Sequence, residues 1–455
     1  MQAIPVIAIF DIGKTNKKFF LFNEQYQIVL EQTVQFEEVC DEDGDACDDV
    51  EQLSTWVLET LAEAFAQKNF HIKAINFSTY GASFVHLDAA GKPVTPLYNY
   101  LKSFPEQLKQ DFYATYGGET KISLETASPV LGNLNSGMQL YFLKNTKPDV
   151  YNRIVVSLHL PQYISYLFTQ KKYADITSIG CHTQLWNFAS NTYHDWVEKE
   201  NMIDKLPAVF SSSEVLQVTI NDIETKAGIG LHDSSAALIP YLTCFTEPFI
   251  LISTGTWCIS LNPFNNQPLT VNELQQDCLC YMEYKGNPVK ASRLFAGYEH
   301  EQQTKRLAYH FGVALDYYKT VVFDTSFLND DSMEKSRAGL ATSAFAAKEL
   351  GSFKSYEQAY HQFIFDIIQQ QKTSTSLILG NKKVTRIFVD GGFGKNPVYM
   401  NLLAAAFPEM EVFAASVSQA TAIGAALSIH KHWNTKPVPG DMIELKYYAA
   451  IHQLA

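Results

Sequence analysis

The chain has 455 residues, 46% of them hydrophobic, which is enough for a large core and, at roughly 100–200 residues per domain, for more than one domain. Its formal net charge of −13, with no Lys/Arg cluster longer than a doublet, argues against a nucleic-acid or anionic-membrane partner. No apolar run reaches the ~18 residues that span a bilayer.

The N-terminal stretch MQAIPVIAIF has no basic region and no small-residue cleavage site, so it does not read as a signal peptide. Residues 4–10, 18–23 and 27–34 are short β-prone runs that predict an antiparallel meander. The acidic EEVCDEDGDACDDVEQ that follows fails as an EF-hand, because Ala46 stands where the loop needs Gly and Gln52 where it needs Glu. A solvated loop is expected there. Apolar residues at helical spacing predict a helix over 54–67 capped by Ser54, followed by a strand at IKAINFS and a hairpin over 83–100 turning at Ala90-Gly91. Helical patterns return at 136–145 and 159–168, and the segment 186–235 reads as alternating loops and helices.

At Thr246 the plan restarts. FILISTGTWCISLNPF repeats the opening layout of strand, polar bend and strand. A helix near 355–371, the strand TRIFVD, a helix over 397–406, the strand EVFAA and a helix over 419–431 follow. Two such halves suggest a duplicated α/β unit, residues 1–245 and 246–455, with a cleft between them. The seven scattered cysteines fit neither a zinc knuckle nor a Cys-x-x-Cys pair, so reduced thiols in a cytoplasmic protein are expected.

Three bends carry the chemistry. The first, Asp11 to Lys18, has Gly13 for a close turn and Lys14, Thr15, Asn16, Lys17 and Lys18 as donors, a pattern suited to phosphate oxygens. Asp11 would be repelled by phosphate, and makes sense holding a Mg²⁺ shell beside it. An ordinary hairpin with polar turn residues has the same appearance. The second bend, Ser253-Thr254-Gly255-Thr256, offers three hydroxyls and no acid. The third, Asp390-Gly391-Gly392-Phe393-Gly394-Lys395-Asn396, follows a strand and opens a helix, but has no Gly-x-Gly-x-x-Gly. The chain has no Gly-x-x-x-x-Gly-Lys-Ser/Thr, so it has no P-loop.

Taken in order, these pieces resemble the FGGY family of sugar kinases, within the larger group that includes hexokinase, actin and the heat-shock ATPases. FDIGKTNKKFFLF is similar to the family's first phosphate loop, ISTGTW to its second, VDGGFGKNP to its adenosine loop and SQATAIGAA to its last helix. SGMQLYFLKNTKPDVYNR and LPQYISYLFTQKKYADITSIGCHTQLWN resemble two further helical segments, and HDSSAA the catalytic one. YGASFVHLD and HDSSAA look most like rhamnulokinases.

The resemblance implies two actin-like (ribonuclease H-like) α/β domains and transfer of a phosphoryl group from ATP, with Mg²⁺, to a sugar hydroxyl. The acceptor it implies is a ketose such as L-rhamnulose, L-fuculose or D-xylulose. It implies Asp233 as the general base, Gly81 and His232 on the sugar side, and Asp11 and Thr15 at metal and phosphate. Gly255 and Thr256 would hold the phosphate tail, Gly391, Gly392 and Asn396 the nucleoside, and Gln302 the nucleotide side. A homodimer is compatible with it. Read by itself, Asp233 before Ser-Ser-Ala-Ala is equally an N-cap. The chain departs from the family where LYNYLKS (97–103) replaces an aromatic followed by Asp and Arg, and where Gln419 replaces a Glu. An actin-like ATP-binding regulator and a polyol kinase are the alternatives.

Overall fold

A computed structural model describes residues 3–328 and 344–450, so the outer ends of both expected domains lie outside the described residues. Two mixed sheets of seven strands each organise the chain. At the centre of the first, Ile4–Ile12 pairs antiparallel with Lys17–Asn23 and parallel with Phe70–Thr79. Its run from Val6 to Phe10 is fully buried, as a continuous apolar strand requires when both sheet faces are covered. The expected meander closes with Ile28–Val34. In the second sheet Phe249–Thr254 holds the same central place, antiparallel to Cys258–Asn262 and parallel to Arg386–Gly391. The duplicated layout is therefore real, and it sets both polar bends at the same end of equivalent strands.

Four local expectations change. The helix Val50–Ala66 starts earlier than expected, because Asp49 accepts from the Glu51 and Gln52 N–H groups, while Ser54 Oγ donates to Val50 O at 2.6 Å. The segment 186–235 contains a hairpin, Val215–Ile220 with Ile223–Gly228, that extends the first sheet. Phe84–Leu87 pairs mainly with Val156–His159, a long-range partner that no local turn signal announces. The acidic segment is not simply solvated. Val39–Cys40 pairs with Ala46–Cys47, and Lys102 Nζ lies 2.5 Å from the buried Asp41, 2.8 Å from Asp43 and 3.1 Å from Asp45. Lys147 adds a second clasp on Glu42 and Asp43.

Between the sheets run the helices Asp233–Cys244 and Ala420–Ser428, in one core with Ile7, Phe20, Leu251 and Phe388. Pro240 has no N–H to return to the Ala236 carbonyl. Gly424 closes on that same carbonyl so tightly that a Cβ would fall 1.9 Å from its oxygen. Asn76 Nδ2 donates to Ala425 O at 2.8 Å, fastening this late helix to the first sheet. The expected helix over 419–431 is thus two pieces, Ala420–Ser428 and His430–Trp433, entered through Gln419 at φ 53°.

Candidate active site

At the first bend, Gly13 N donates to Asn16 O at 2.9 Å and closes the turn. Thr15 and Asn16 stay exposed. Lys14 does not remain free for phosphate: its Nζ lies 2.6 Å from Asp48 and 2.9 Å from Glu38. Lys17 is turned inward to Lys14 O and Asp48, and Lys18 reaches Gln419 Oε1 at 3.1 Å. The ammonium groups of the bend thus have protein partners, and the acidic Asp48, invisible in the bend itself, takes two of them. Asp11 sits above this turn with Oδ2 accepting from Thr421 Oγ1 at 2.6 Å. Burial, with the Asp233 charge adding, raises its carboxyl to about 6 against the lowering effects of the Thr421 bond and Lys18.

The second and third bends are stitched together by one residue. Thr254 Oγ1 donates to Asp390 O at 2.6 Å and accepts from Phe393 N at 3.0 Å, while Thr254 O accepts from Gly392 N at 3.1 Å. Only glycine fits at Gly391, whose φ is 91° and whose Cβ would lie 2.0 Å from Thr254 O. A cavity of ≈ 570 Å³ opens beside the stitch, lined by Thr254, Gly255, His300, Tyr318, Gly392 and Asn396 among others. Asn396 Oδ1 caps the helix Pro397–Ala406, and its Nδ2 donates to Tyr360 OH at 2.7 Å. Thr256 is exposed next to the cavity, its carbonyl accepting from Tyr298 N at 3.1 Å. Gln302 is exposed and is not among the lining residues; His300, on the same helix, faces the cavity instead. His300, Tyr318 and Lys319 carried no motif, and only the folded chain brings them to this wall.

The helix Asp233–Cys244 begins at Asp233, with His232 at the cap position and no side-chain cap bond. Asp233 is therefore not the helix N-cap. Its Oδ1 accepts from Ser234 N at 2.6 Å and lies 3.2 Å from His232 Nε2, and 31% of its side chain is exposed. Burial raises this carboxyl to about 6, while the Ser234 bonds pull it down. His232 is pushed the other way, to about 4, because burial disfavours its charged form. His232 Nε2 lies 3.6 Å from Cys181 Sγ, and Nδ1 is buried without a partner among the described residues. Gly81 explains the ring's place, since a Cβ there would lie 2.5 Å from His232 Cδ2.

The segment 97–103, where family contacts to sugar would fall, is held by the acidic hairpin through Lys102. Within it the Tyr100 ring lies 6.0 Å from that of Tyr80. Burial and then the Asp233 charge raise its hydroxyl, with Lys14 lowering it.

Two sheets of one plan define a two-domain α/β protein. The chain belongs to the FGGY family of carbohydrate kinases: the family's N-terminal domain matches residues 6–239 and its C-terminal domain residues 246–437. It is similar to the rhamnulokinases of Oceanobacillus iheyensis (23% identity over 265 residues, 55% of this chain and 54% of that one) and Halalkalibacterium halodurans (24% over 273 residues, 58% and 57%). The match thus spans about half the length of these curated relatives. The fold is shared over nearly the whole chain with solved structures. A xylulose kinase from Rhodospirillum rubrum has a TM-score of 0.82 at 16% identity, covering 99% of this chain and 95% of that one. A carbohydrate kinase from Novosphingobium aromaticivorans gives 0.78 at 20%, covering 98% and 97%.

Proposed function

We propose that the protein transfers the γ-phosphoryl group of ATP to a hydroxyl of a sugar. The observation that carries this reading is Asp233: a partly exposed carboxylate, raised to about 6, held by Ser234 at the start of a helix with His232 Nε2 3.2 Å away. Such a group is ionised at neutral pH yet basic enough to accept a hydroxyl proton. Asp233 takes that proton as the new oxygen–phosphorus bond forms and the bond to the departing ADP breaks. His232 holds the carboxylate in place, and Gly81 leaves room for the ring. Thr254, Gly255 and Gly392 form the phosphate end of the nucleotide cavity, with Asn396, His300 and Tyr318 toward the nucleoside.

Mg²⁺ accompanies the nucleotide in this reading and neutralises charge on its phosphates. Asp11 is the residue that would hold it. The fit is chemical: a hard oxygen donor, its carboxyl raised by burial and by Asp233, gains from a nearby cation. Among the described residues no group of three or more His, Cys, Asp and Glu forms a metal cage, which suits an ion held largely by phosphate and water.

The sugar we favour is a ketose, with L-rhamnulose or L-fuculose ahead of D-xylulose, on the rhamnulokinase relatives. The domain boundary belongs between Phe245 and Thr246. All seven cysteines are free and no described helix is long and apolar enough to cross a membrane, which supports a cytoplasmic site of action. An ATP-coupled screen of ketoses, aldoses, polyols and sugar acids tests the assignment. Turnover of a ketose supports it; best activity on glycerol favours a polyol kinase; sugar-independent ATPase alone favours an actin-like regulator.

A further inference from the structure

The face of the second sheet that looks toward the first carries a group of side chains with no role so far. Trp257, just past the second bend, is 38% exposed. The Arg293 guanidinium lies over its indole, 5.1 Å from the ring centre, and Nη2 donates to Asp277 Oδ1 at 2.6 Å. Strand register brings the three together. Arg293 stands opposite Ile259, two residues beyond Trp257, and its N–H donates to Asp277 O at 3.2 Å. Asp277 immediately precedes the strand Cys278–Met282, and on that strand Tyr281 stacks on His232 with ring centres 6.3 Å apart. The trio therefore continues the wall that faces His232 and Asp233, and the Arg293 charge acts on Cys181, His182 and Tyr281 around that histidine.

One atom of the group is unexplained by the protein alone. Arg293 Nε is buried and has no hydrogen-bond partner among the described residues, although its side chain is only 12% exposed. A buried N–H is normally paired, so an orphan at a cleft wall marks where a ligand acceptor belongs. Asp277 keeps 37% of its side chain exposed and can only accept. A donor fork, a free acceptor and an exposed indole together match a polyhydroxyl with apolar C–H surface. The ion pair is neutral overall, which selects a neutral sugar over a sugar acid.

We propose that Trp257, Asp277 and Arg293 are specificity-determining residues that read the acceptor sugar from the C-terminal domain: the indole gives an apolar wall, Arg293 Nε–H donates to one hydroxyl, and Asp277 accepts from another. This rests on the kinase reading above. It also means that the acceptor bridges the two domains, with its reacting hydroxyl on Asp233 and its far hydroxyls on the opposite wall.

Steady-state kinetics on the accepted ketose, with ATP and sugar varied separately, tests it. Arg293→Gln should raise the sugar KM about tenfold to a hundredfold, the range for a lost charge-assisted hydrogen bond, and leave the ATP KM within about twofold. Trp257→Phe should be mild and Trp257→Ser severe in the same parameter. Asp277→Asn, which leaves the guanidinium unneutralised, should shift preference toward an aldonate. A thermal melt of each variant separates misfolding from lost recognition, and the Trp257 pair keeps the test intact if Arg293→Gln does not fold. An active wild type whose variants keep the sugar KM, or lose ATP affinity instead, overturns this inference alone. A wild type inert to every sugar overturns the kinase reading and this one with it.

Discussion

Thr421 Oγ1 donates a 2.6 Å hydrogen bond to Asp11 Oδ2, joining the last interdomain helix to the first strand across 410 positions of chain. The bond orients one carboxylate oxygen and lowers a carboxyl that burial raises. Thr421→Val, nearly isosteric, should therefore weaken Mg–ATP binding by about 1.5–3 kcal/mol, the range for a hydrogen bond to a charged group. Isothermal titration with Mg–ATP measures this directly. An unchanged affinity would mean that Asp11 is not oriented for the metal.

Asp233→Asn separates catalysis from stability. Its kcat should fall by ~10²–10⁴, as for loss of a positioned general base, with both KM values little changed. Because His232 occupies the cap position, the substitution removes no N-cap. The raised carboxyl makes the native state bind its proton more tightly than the unfolded chain does. Its contribution to stability is thus complete below the ordinary value of 3.8 and is lost as pH rises through about 6. At pH 7.5 the variant should melt higher than wild type, and at pH 4 the gain should vanish. A lower melting temperature at pH 7.5 would show that the carboxylate is not strained by its site.

Histidines act in the opposite direction. Burial depresses His86, His159 and His182 to about 3 and His232 and His300 to about 4, from an ordinary 6.5. Each contributes stability that is present above pH 6.5 and is lost as pH falls toward those values, where the unfolded chain takes up the proton. Acid unfolding between pH 6 and 4 should show net proton uptake despite the opposing aspartates. His86→Asn, which removes one titrating ring, should flatten the melting-temperature profile over that window in buffered calorimetry.

The interdomain Gly424 and the cavity-lining Gly392 should divide sharply. Gly424→Ala places a methyl 1.9 Å from a backbone oxygen and must separate two helices, costing at least about 1–3 kcal/mol. Gly392→Ala meets no atom within 4 Å and should fold normally. Chemical denaturation of both compares them. Equal stabilities would contradict the close helix contact.

Lys102→Met should release the acidic hairpin. Asp41 would be left buried without its cation, and breaking such a pair costs about 3–5 kcal/mol. Limited proteolysis should then cut within 39–47, where wild type resists. Resistance in the variant would show that the hairpin holds without the clasp.

The amino-acid sequence by itself determined the central strands, the two restarts and the three bends. These are local features: an apolar run long enough for a buried strand, interrupted by residues that turn the backbone or offer hydroxyls, reads the same in any context. It also singled out Asp11 and Asp233 as candidate site carboxylates. Only the tertiary structure decided what those side chains meet. Lys14 and Lys17 look like phosphate donors in the bend, yet Asp48, some thirty residues later, claims both. Gln302 matches a family position, but helical phase points it outward and gives the wall to His300. The strand Phe84–Leu87 finds its partner at Val156–His159, and Thr421 finds Asp11, through contacts that no spacing encodes. Charge pairing, helix phase and strand register are settled when distant segments compete for the same neighbour, and that competition takes place only in the folded chain.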